Sequence, residues 1–118
     1  MSKAEQAIPA QRKAQLFAAL GDSKRLELIE RMGSGGKNSI VELSTGMGLS
    51  RQGVTKHLRV LELAGIVKST RVGRELHFLL TPAALTPLQE YLKLVSERWD
   101  DTIERLRAFV EEEHDGSP

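Results

Sequence analysis

Residues 49–81 constrain the fold of this chain most, because they combine a capped helix with a strand pattern that follows it at once. Ser50 is placed to cap a helix that runs to about Ala64, and Gly65 is placed to end it. The apolar residues of this helix recur at intervals of four and three, so they share one face that can be buried. They are Val54, Leu58 and Leu61. The opposite face is left to polar and basic side chains.

Two strands are predicted directly after this helix, over about residues 67–72 and 75–80. Alternation in the second strand places three apolar side chains on the core side of a hairpin. They are Leu76, Phe78 and Leu80. Gly73 and Arg74 suit a two-residue turn, and His77 is expected to be exposed on the other face. A helix and a basic hairpin joined in this way predict a winged helix, whose helix enters the major groove of DNA while its wing contacts the backbone or minor groove.

Basic and polar side chains on the outer surface of this segment are candidates for DNA contacts. Arg51 and Gln52 can hydrogen-bond base edges, guanine for arginine and adenine for glutamine. Arg59 is expected on phosphate, and Thr55 and Lys56 suit either bases or phosphate. Arg71 and Arg74, near the tip of the hairpin, suit phosphate or a narrow minor groove. A solvated basic face, with charges that blunt a sheet edge, is the alternative interpretation. The predicted DNA-binding set is Ser50, Arg51, Gln52, Thr55, Lys56, His57, Arg59, Arg71 and Arg74.

Two helices are predicted upstream of this segment. Pro9 suits the first turn of a helix that runs to about Leu20, and Asp22 is placed to cap a second helix through about Met32. Apolar spacing predicts the residues that face inward. They are Leu16, Phe17 and Leu20 in the first helix, and Leu26, Leu28 and Ile29 in the second.

Three glycines in four positions predict a flexible loop over residues 33–38. Ser39 and Glu42 then have capping-box spacing, which predicts a short third helix that ends near Gly46. These elements bring the predicted order to three helices, the recognition helix at residues 50–64, and the hairpin.

A long last helix is predicted over residues 86–114, with Thr86 as its cap and Pro87 in its first position. Its apolar residues recur every 3.5 residues on average, a spacing suited to packing against another long helix. A symmetric second copy would supply that partner, and packing within the same domain is the alternative. The predicted dimer contacts are Leu16, Leu88, Leu92, Val95, Trp99, Ile103, Leu106 and Phe109.

The length of 118 residues predicts one domain, residues 1–118, that is mainly α with a small β-hairpin. An N-terminal helix (1–20), a winged-helix core (22–81) and a C-terminal helix (86–114) would compose it in the order α-α-α-α-β-β-α. The net charge is only +1, but its distribution is uneven. Residues 51–77 carry six Lys and Arg against two Asp and Glu, whereas residues 78–118 carry four against nine. Such a basic block favours a DNA-facing surface, with an ordinary solvated surface as the alternative.

Several classes of protein do not fit the sequence. No apolar stretch approaches the 18 residues of a membrane span, and the first residues lack the apolar core of a signal peptide, so the cytoplasm is the expected location. The chain has no cysteine, which excludes disulfides and thiolate metal sites. No phosphate-binding glycine loop and no nucleophile-base pair are found. We therefore expect no enzyme activity, no metal ion and no cofactor.

Taken together, these residues resemble the ArsR family of bacterial winged-helix repressors over about residues 14–81. The resemblance implies a homodimer built from the first and last helices, with two recognition helices on an inverted-repeat operator in double-stranded DNA. It also implies repression by exclusion of RNA polymerase, relieved by a signal. The matching positions are Leu20-Gly21-Asp22, Arg25, Leu26, Leu28, Ile40-Val41-Glu42-Leu43, Gly48-Leu49-Ser50-Arg51, Val54-Thr55-Lys56-His57-Leu58, Leu61, Ala64-Gly65-Ile66-Val67, Arg71, Gly73 and Arg74.

The sequence departs from the metal sensors of that family. Glu42-Leu43 is followed by Ser44-Thr45-Gly46 where those sensors carry Cys-x-Cys, and Asp100-Asp101-Thr102 lacks the histidine of their Asp-x-His pair. No metal site is therefore carried over, and the releasing signal is not identified. Two alternatives stay open at this point. The chain could be a protein-interaction module that keeps the fold, or a repressor released by a small apolar effector beside Trp99 at the dimer seam.

Overall fold

The computed structural model describes residues 8–33 and 38–115, with side chains described up to residue 113. The chain divides into two compact units, Met1–Pro87 and Leu88–Pro118. Residues 34–37, which make up most of the predicted flexible loop, lie outside the described residues. Residues 1–7, whose lack of an apolar core argues against a signal peptide, also lie outside the described residues.

The first unit begins with four helices that agree with the predicted ones within a few residues. Pro9 stands just before the first helix rather than in its first turn, and its carbonyl oxygen accepts from the backbone N–H of Arg12 at 3.0 Å. Asp22 caps the second helix as predicted, since its Oδ1 accepts from the backbone N–H of Lys24 at 2.8 Å and of Arg25 at 3.1 Å. The helices are α1 (Ala10–Leu20), α2 (Ser23–Gly33), α3 (Ile40–Ser44) and α4 (Arg51–Leu63).

Helix α4, the recognition helix, ends in a tight C-terminal turn. The backbone N–H of Ile66 donates to the carbonyl of Leu61 at 3.0 Å, and that of Gly65 donates to the carbonyl of Glu62 at 2.9 Å. This pair of bonds is a Schellman motif, which places residue 65 in the left-handed region, at φ 80°. Glycine adopts that conformation without strain, so the chain can turn from the helix straight into the first strand.

An antiparallel hairpin follows, formed by β1 (Val67–Val72) and β2 (Glu75–Leu80), the bounds that the sequence predicts. Gly73 has φ 63°, while Arg74 has a negative φ. Glycine at the first of two turn positions is typical of a type II′ turn, whose twist matches that of the strands. The element order confirms the predicted winged helix-turn-helix fold, mainly α with a small hairpin.

The core of the first unit lies beneath the recognition helix. Eight large side chains are less than 2% exposed, and burying each stabilises the fold by about 1.5–3 kcal/mol. They are Leu16, Leu28, Val54, Leu58, Leu61, Ile66, Val67 and Phe78. The prediction that Leu26 faces inward is wrong, because α2 buries Leu28 and Met32, one turn apart, and leaves Leu26 45% exposed.

The start of the last helix also differs from its prediction. A 3₁₀ turn, Pro82–Leu85, runs directly into helix α5 (Thr86–Asp115). Thr86 is therefore already helical, with φ −55° and ψ −45°, and is not the cap that the sequence predicts. Thr86 and Pro87 do lie at the start of α5, as predicted. The helix continues from the preceding 3₁₀ turn, however, and does not begin at a side-chain cap.

The second unit consists of the rest of α5, and most of its apolar side chains are exposed. Among the exposed residues of the predicted seam, the exposed fraction ranges from 48% at Ile103 to 63% at Trp99. Val95 is half-buried. Of the other predicted dimer contacts, Leu16 is 1% exposed and belongs to the core of the first unit, and Leu88 is 4% exposed. The assignment of these two residues as dimer contacts stays a prediction.

Candidate nucleic-acid interface

The N-terminal turns of α4 present polar and cationic side chains to solvent. Ser50, predicted to cap this helix, does so, because its Oγ accepts from the backbone N–H of Gly53 at 3.0 Å. Arg51, Gln52 and Lys56 are exposed and make no side-chain hydrogen bond or ion pair with any other described residue. At the start of the recognition helix of a helix-turn-helix, cationic and amide groups without a partner in the protein can hydrogen-bond base edges and phosphates.

These three side chains border an open groove of about 620 Å³ between α3 and α4. Ile40 and Val41 of α3 form its other side, so the groove is mainly apolar although its rim is cationic. Charged and apolar groups thus lie next to each other on the surface that the sequence predicts to face DNA.

The other predicted contacts on α4 have partners within the fold. Thr55 Oγ1 donates to the carbonyl of Arg51 at 2.7 Å. His57 Nδ1 lies 3.3 Å from Arg25 Nη1 and 3.9 Å from Asp22 Oδ1, and the histidine side chain is 23% exposed. A guanidinium can only donate, so in a hydrogen bond between these two groups Nδ1 is the acceptor. His57 therefore helps to dock α2 on α4, while its outer edge remains accessible.

The same cluster of side chains and backbone N–H groups changes the pKa of Asp22. The backbone N–H of Arg25 is the main cause that lowers the pKa of Asp22 below its ordinary value, although partial burial raises it. The backbone N–H of Lys24 and the nearby His57 lower it further. The charged form of this capping residue is thus the one that the fold favours.

Glu62 connects the recognition helix to the wing. Its Oε2 accepts from Ser69 Oγ at 2.6 Å and from the backbone N–H of Ser69 at 3.2 Å, while its Oε1 accepts from Arg59 Nη1. The Ser69 hydroxyl is the largest cause that lowers the pKa of Glu62 below its ordinary value, followed by the Arg59 guanidinium. Arg59 also lies 5.9 Å from the ring centre of Phe78 in β2.

The contact with Glu62 restricts Arg59, one of the predicted DNA contacts. Arg59 retains half its exposure, so it can reach phosphate, but its guanidinium is held against the wing. The sequence pattern did not identify Glu62 as a functional position. A carboxylate three residues after an arginine, at the end of a recognition helix, is the signal that could have found it.

The wing carries its two predicted arginines exposed on either side of the turn. Arg71 lies in β1 and Arg74 lies in the turn, and neither makes a side-chain hydrogen bond or ion pair within the described part of the chain. His77 is not simply exposed as predicted, because its side chain is only 13% exposed and its Nε2 lies 2.9 Å from Glu75 Oε2. The reason is that Ser39 forms a β-bridge with His77 and covers that edge of β2.

Four cationic side chains of α1 and α2 are used inside the fold. Three of them donate to a backbone carbonyl near the C-terminal end of a helix, where the helix dipole favours positive charge, and Lys24 donates to a carbonyl in the loop between α3 and α4. The pairs are Arg12 with Ala64, Lys24 with Met47, Arg25 with Ala19 and Arg31 with Leu43, at N–O distances of 2.6, 2.9, 2.6 and 3.0 Å. These four cationic side chains are therefore engaged in contacts within the first unit.

The described ranges, residues 8–33 and 38–115, contain no group of three or more His, Cys, Asp or Glu side chains that could hold a metal ion. Within the same ranges, no helix is both long enough and apolar enough to cross a membrane.

Comparison with known proteins gives the same architecture. A family model described as a helix-turn-helix domain matches residues 20–70, from the last residue of α1 into β1. The solved structure of an ArsR-like transcriptional regulator from Rhodococcus sp. RHA1 is 31% identical in sequence. The alignment covers 84% of this chain and 92% of that one, with a TM-score of 0.70. The chain belongs to the ArsR-like family of helix-turn-helix transcriptional regulators.

Two further proteins extend this result. The arsenical resistance operon repressor of Escherichia coli (strain K12) is 26% identical over 96 residues, which cover 81% of this chain and 80% of that protein. A homodimeric winged helix-turn-helix DNA-binding domain from Mycobacterium bovis shares the fold at 18% identity, with a TM-score of 0.59 over 74% of this chain and 80% of that one. As an ArsR-like regulator, the chain is a DNA-binding protein that controls transcription, and not an enzyme, as the sequence predicts.

Proposed function

We propose that this chain is a homodimeric repressor that binds an inverted-repeat operator in double-stranded DNA within the cytoplasm. The observation that carries the proposal is the set of exposed side chains at the start of α4, namely Arg51, Gln52 and Lys56, which have no partner among the described residues. A polar face of this kind at the N-terminal end of an HTH recognition helix is the part that enters the major groove.

Arg51 and Gln52 read base edges in this proposal, because their side chains can make bidentate hydrogen bonds to guanine and adenine, respectively. Lys56 and Arg59 bind phosphates, as do Arg71 and Arg74 of the wing, which lies over the backbone or the minor groove. Ser50, Thr55 and His57 shape the helix surface through their contacts within the fold and face the same DNA segment.

The exposed apolar stripe of α5 supports the homodimer. Side chains that are about half exposed or more recur along one face from Leu92 to Phe109, and single-chain proteins rarely leave such a surface uncovered. A second copy would cover it symmetrically. The Mycobacterium bovis domain that shares this fold is itself homodimeric. The proposed contacts are Leu92, Val95, Trp99, Ile103, Leu106 and Phe109.

Repression is supported by the similarity to the Escherichia coli arsenical resistance operon repressor. A protein that occupies an operator over two turns of duplex excludes other proteins from it by volume alone. The absence of cysteine from the sequence removes thiolate metal ligands as the means of release.

Selection of DNA from a random pool by the purified chain tests the proposal, followed by gel shifts on the selected sequence. We expect an inverted repeat, and a slope of log affinity against log salt of about −7 if a dimer neutralises about eight phosphates. Arg51→Ala and Gln52→Ala should relax base preference, whereas Arg74→Ala should weaken binding to all sequences alike. Lys93→Ala, an exposed lysine in the second unit, serves as the control and should change neither property.

Unaltered base preference in both Arg51→Ala and Gln52→Ala would refute the assigned base contacts. Failure to enrich any sequence over the starting pool would refute the operator itself.

A further inference from the structure

The groove beside the recognition helix has an apolar side that hydrogen bonding to bases does not explain. Val41 is 49% exposed in the first turn of α3, and with Ile40 it lines the groove that Arg51, Gln52, Thr55 and Lys56 border on α4. An exposed valine in a groove with a cationic rim is out of place on a surface that contacts only phosphates and polar base edges.

Thr55 extends this apolar surface. Its hydroxyl hydrogen is donated to the carbonyl of Arg51 at 2.7 Å within the same helix, so the γ-methyl is the part of the side chain that makes no hydrogen bond. Val41 and Thr55 thus line the same groove from α3 and α4, with Gln52 beside them.

The bases offer only one apolar group in the major groove, which is the 5-methyl of thymine. A groove that combines apolar walls, an amide and cationic ends is complementary to a strand that presents this methyl, a base edge and phosphates together. A free apolar ligand would explain the walls but would leave Arg51 and Lys56 without a role in the same groove.

We propose that Val41 contacts the 5-methyl group of a thymine in each operator half-site, with Thr55 completing the apolar surface. This inference rests on the proposed function, because it assumes that α4 enters the major groove of a specific operator. It makes Val41, a residue outside the recognition helix, a determinant of base specificity. Removal of the methyl leaves Val41 against an unfilled space and lowers affinity.

Replacement of thymine by deoxyuridine tests the contact without changing the protein. Each thymine of the selected operator is replaced in turn, in both half-sites at once, and the wild-type chain is titrated against each duplex. One position should weaken binding by about fourfold per half-site, which corresponds to about 0.8 kcal/mol for one methyl group leaving water, and therefore by about 16-fold for two. All other thymines should tolerate the replacement within about twofold.

Val41→Ala identifies the protein side of the contact. We expect this variant to bind the thymine and deoxyuridine duplexes with affinities that agree within about twofold, because the methyl has lost its main apolar contact. Val60→Ala is the matched control, since Val60 is also an exposed valine, at 39%, but it lines a different groove with Ala18 and Leu63. That variant should keep the full 16-fold discrimination.

The inference is overturned if no thymine of the operator is sensitive to deoxyuridine, or if Val41→Ala discriminates as well as wild type. In either case the proposed function stands, provided that selection enriches an inverted repeat. If selection enriches no sequence, the proposed function itself fails.

Discussion

Helices α4 and α5 carry apolar residues at the same intervals of three and four, yet the two helices bury them to very different extents. Val54, Leu58 and Leu61 of α4 are 0% exposed, whereas Trp99 and Leu106 of α5 are 63% and 62% exposed. The spacing therefore shows which face of a helix is apolar, but not whether the same chain covers that face. In α4 the apolar face is part of the core, and in α5 it is free to take part in association.

Among the substitutions considered, we expect one in the core beneath α4 to change stability the most. Leu58→Ala should lower the free energy of unfolding by about 3 kcal/mol, within the range of 2–5 kcal/mol for buried leucines, because it removes packed methyl groups and leaves a cavity. Urea denaturation followed by circular dichroism measures the change. A loss below 1 kcal/mol at every protein concentration would contradict the assigned role of Leu58 in the core.

The next effect distinguishes the exposed seam from the core. Leu106→Glu should weaken self-association by about tenfold or more, because symmetry places two buried carboxylates in one interface. Sedimentation equilibrium measures the association constant. Ala108→Glu is the matched control on the opposite face of α5, and it should leave the constant within about twofold. Equal effects of the two variants would show that the stripe is not the interface.

The difference between these two helices shows which features a sequence can predict. Local features can be predicted, whereas burial that depends on distant residues cannot. The caps at Ser50 and Ser39, the glycine stop at Gly65 and the hairpin bounds are local, because each depends on residues a few positions apart, and they were predicted correctly. Burial of His77 was missed, since it depends on a bridge to Ser39, almost 40 positions upstream.

The candidate DNA contacts also divide into features that local sequence predicts and features that depend on tertiary packing. Exposure of Arg51, Gln52, Arg71 and Arg74 could be predicted, because it follows from helical and strand periodicity. The contacts of His57 with α2 depend on tertiary packing and could not. The apolar groove beside α4 depends on the placement of α3, which the sequence pattern does not fix.

A smaller effect tests the link between α4 and the wing. Glu62→Gln should lower the free energy of unfolding by about 1 kcal/mol, because the neutral amide accepts more weakly from Ser69 and loses its attraction to Arg59. It should also reduce backbone protection at the flanks of the operator in a hydroxyl-radical footprint. Glu27→Gln is the control, since Glu27 forms exposed ion pairs with Lys24 and Arg31 within α2, and its loss should be under about 0.5 kcal/mol. Unchanged wing protection in Glu62→Gln would show that this carboxylate does not position the wing.

The smallest effect is a pH dependence of the same link. Because the folded pKa of Glu62 is lowered, its contribution is complete above the ordinary glutamate pKa of about 4.3 and is lost as pH falls through the lower folded value. The difference in unfolding free energy between wild type and Glu62→Gln should therefore shrink on acidification from about pH 5. Paired urea melts at several pH values measure it. A difference that grows toward acid pH would contradict the direction of the shift.

In the proposed complex, two copies joined along α5 hold two recognition helices at a fixed separation on DNA. The most direct test is the insertion of five base pairs between the operator half-sites, which rotates one half-site by about half a turn of a duplex with 10–10.5 base pairs per turn. We predict that the unaltered operator binds two chains cooperatively, and that the insertion lowers affinity to that of an isolated half-site. Equal affinity and stoichiometry on both duplexes would show that the recognition helices act independently and would refute the proposed dimeric complex.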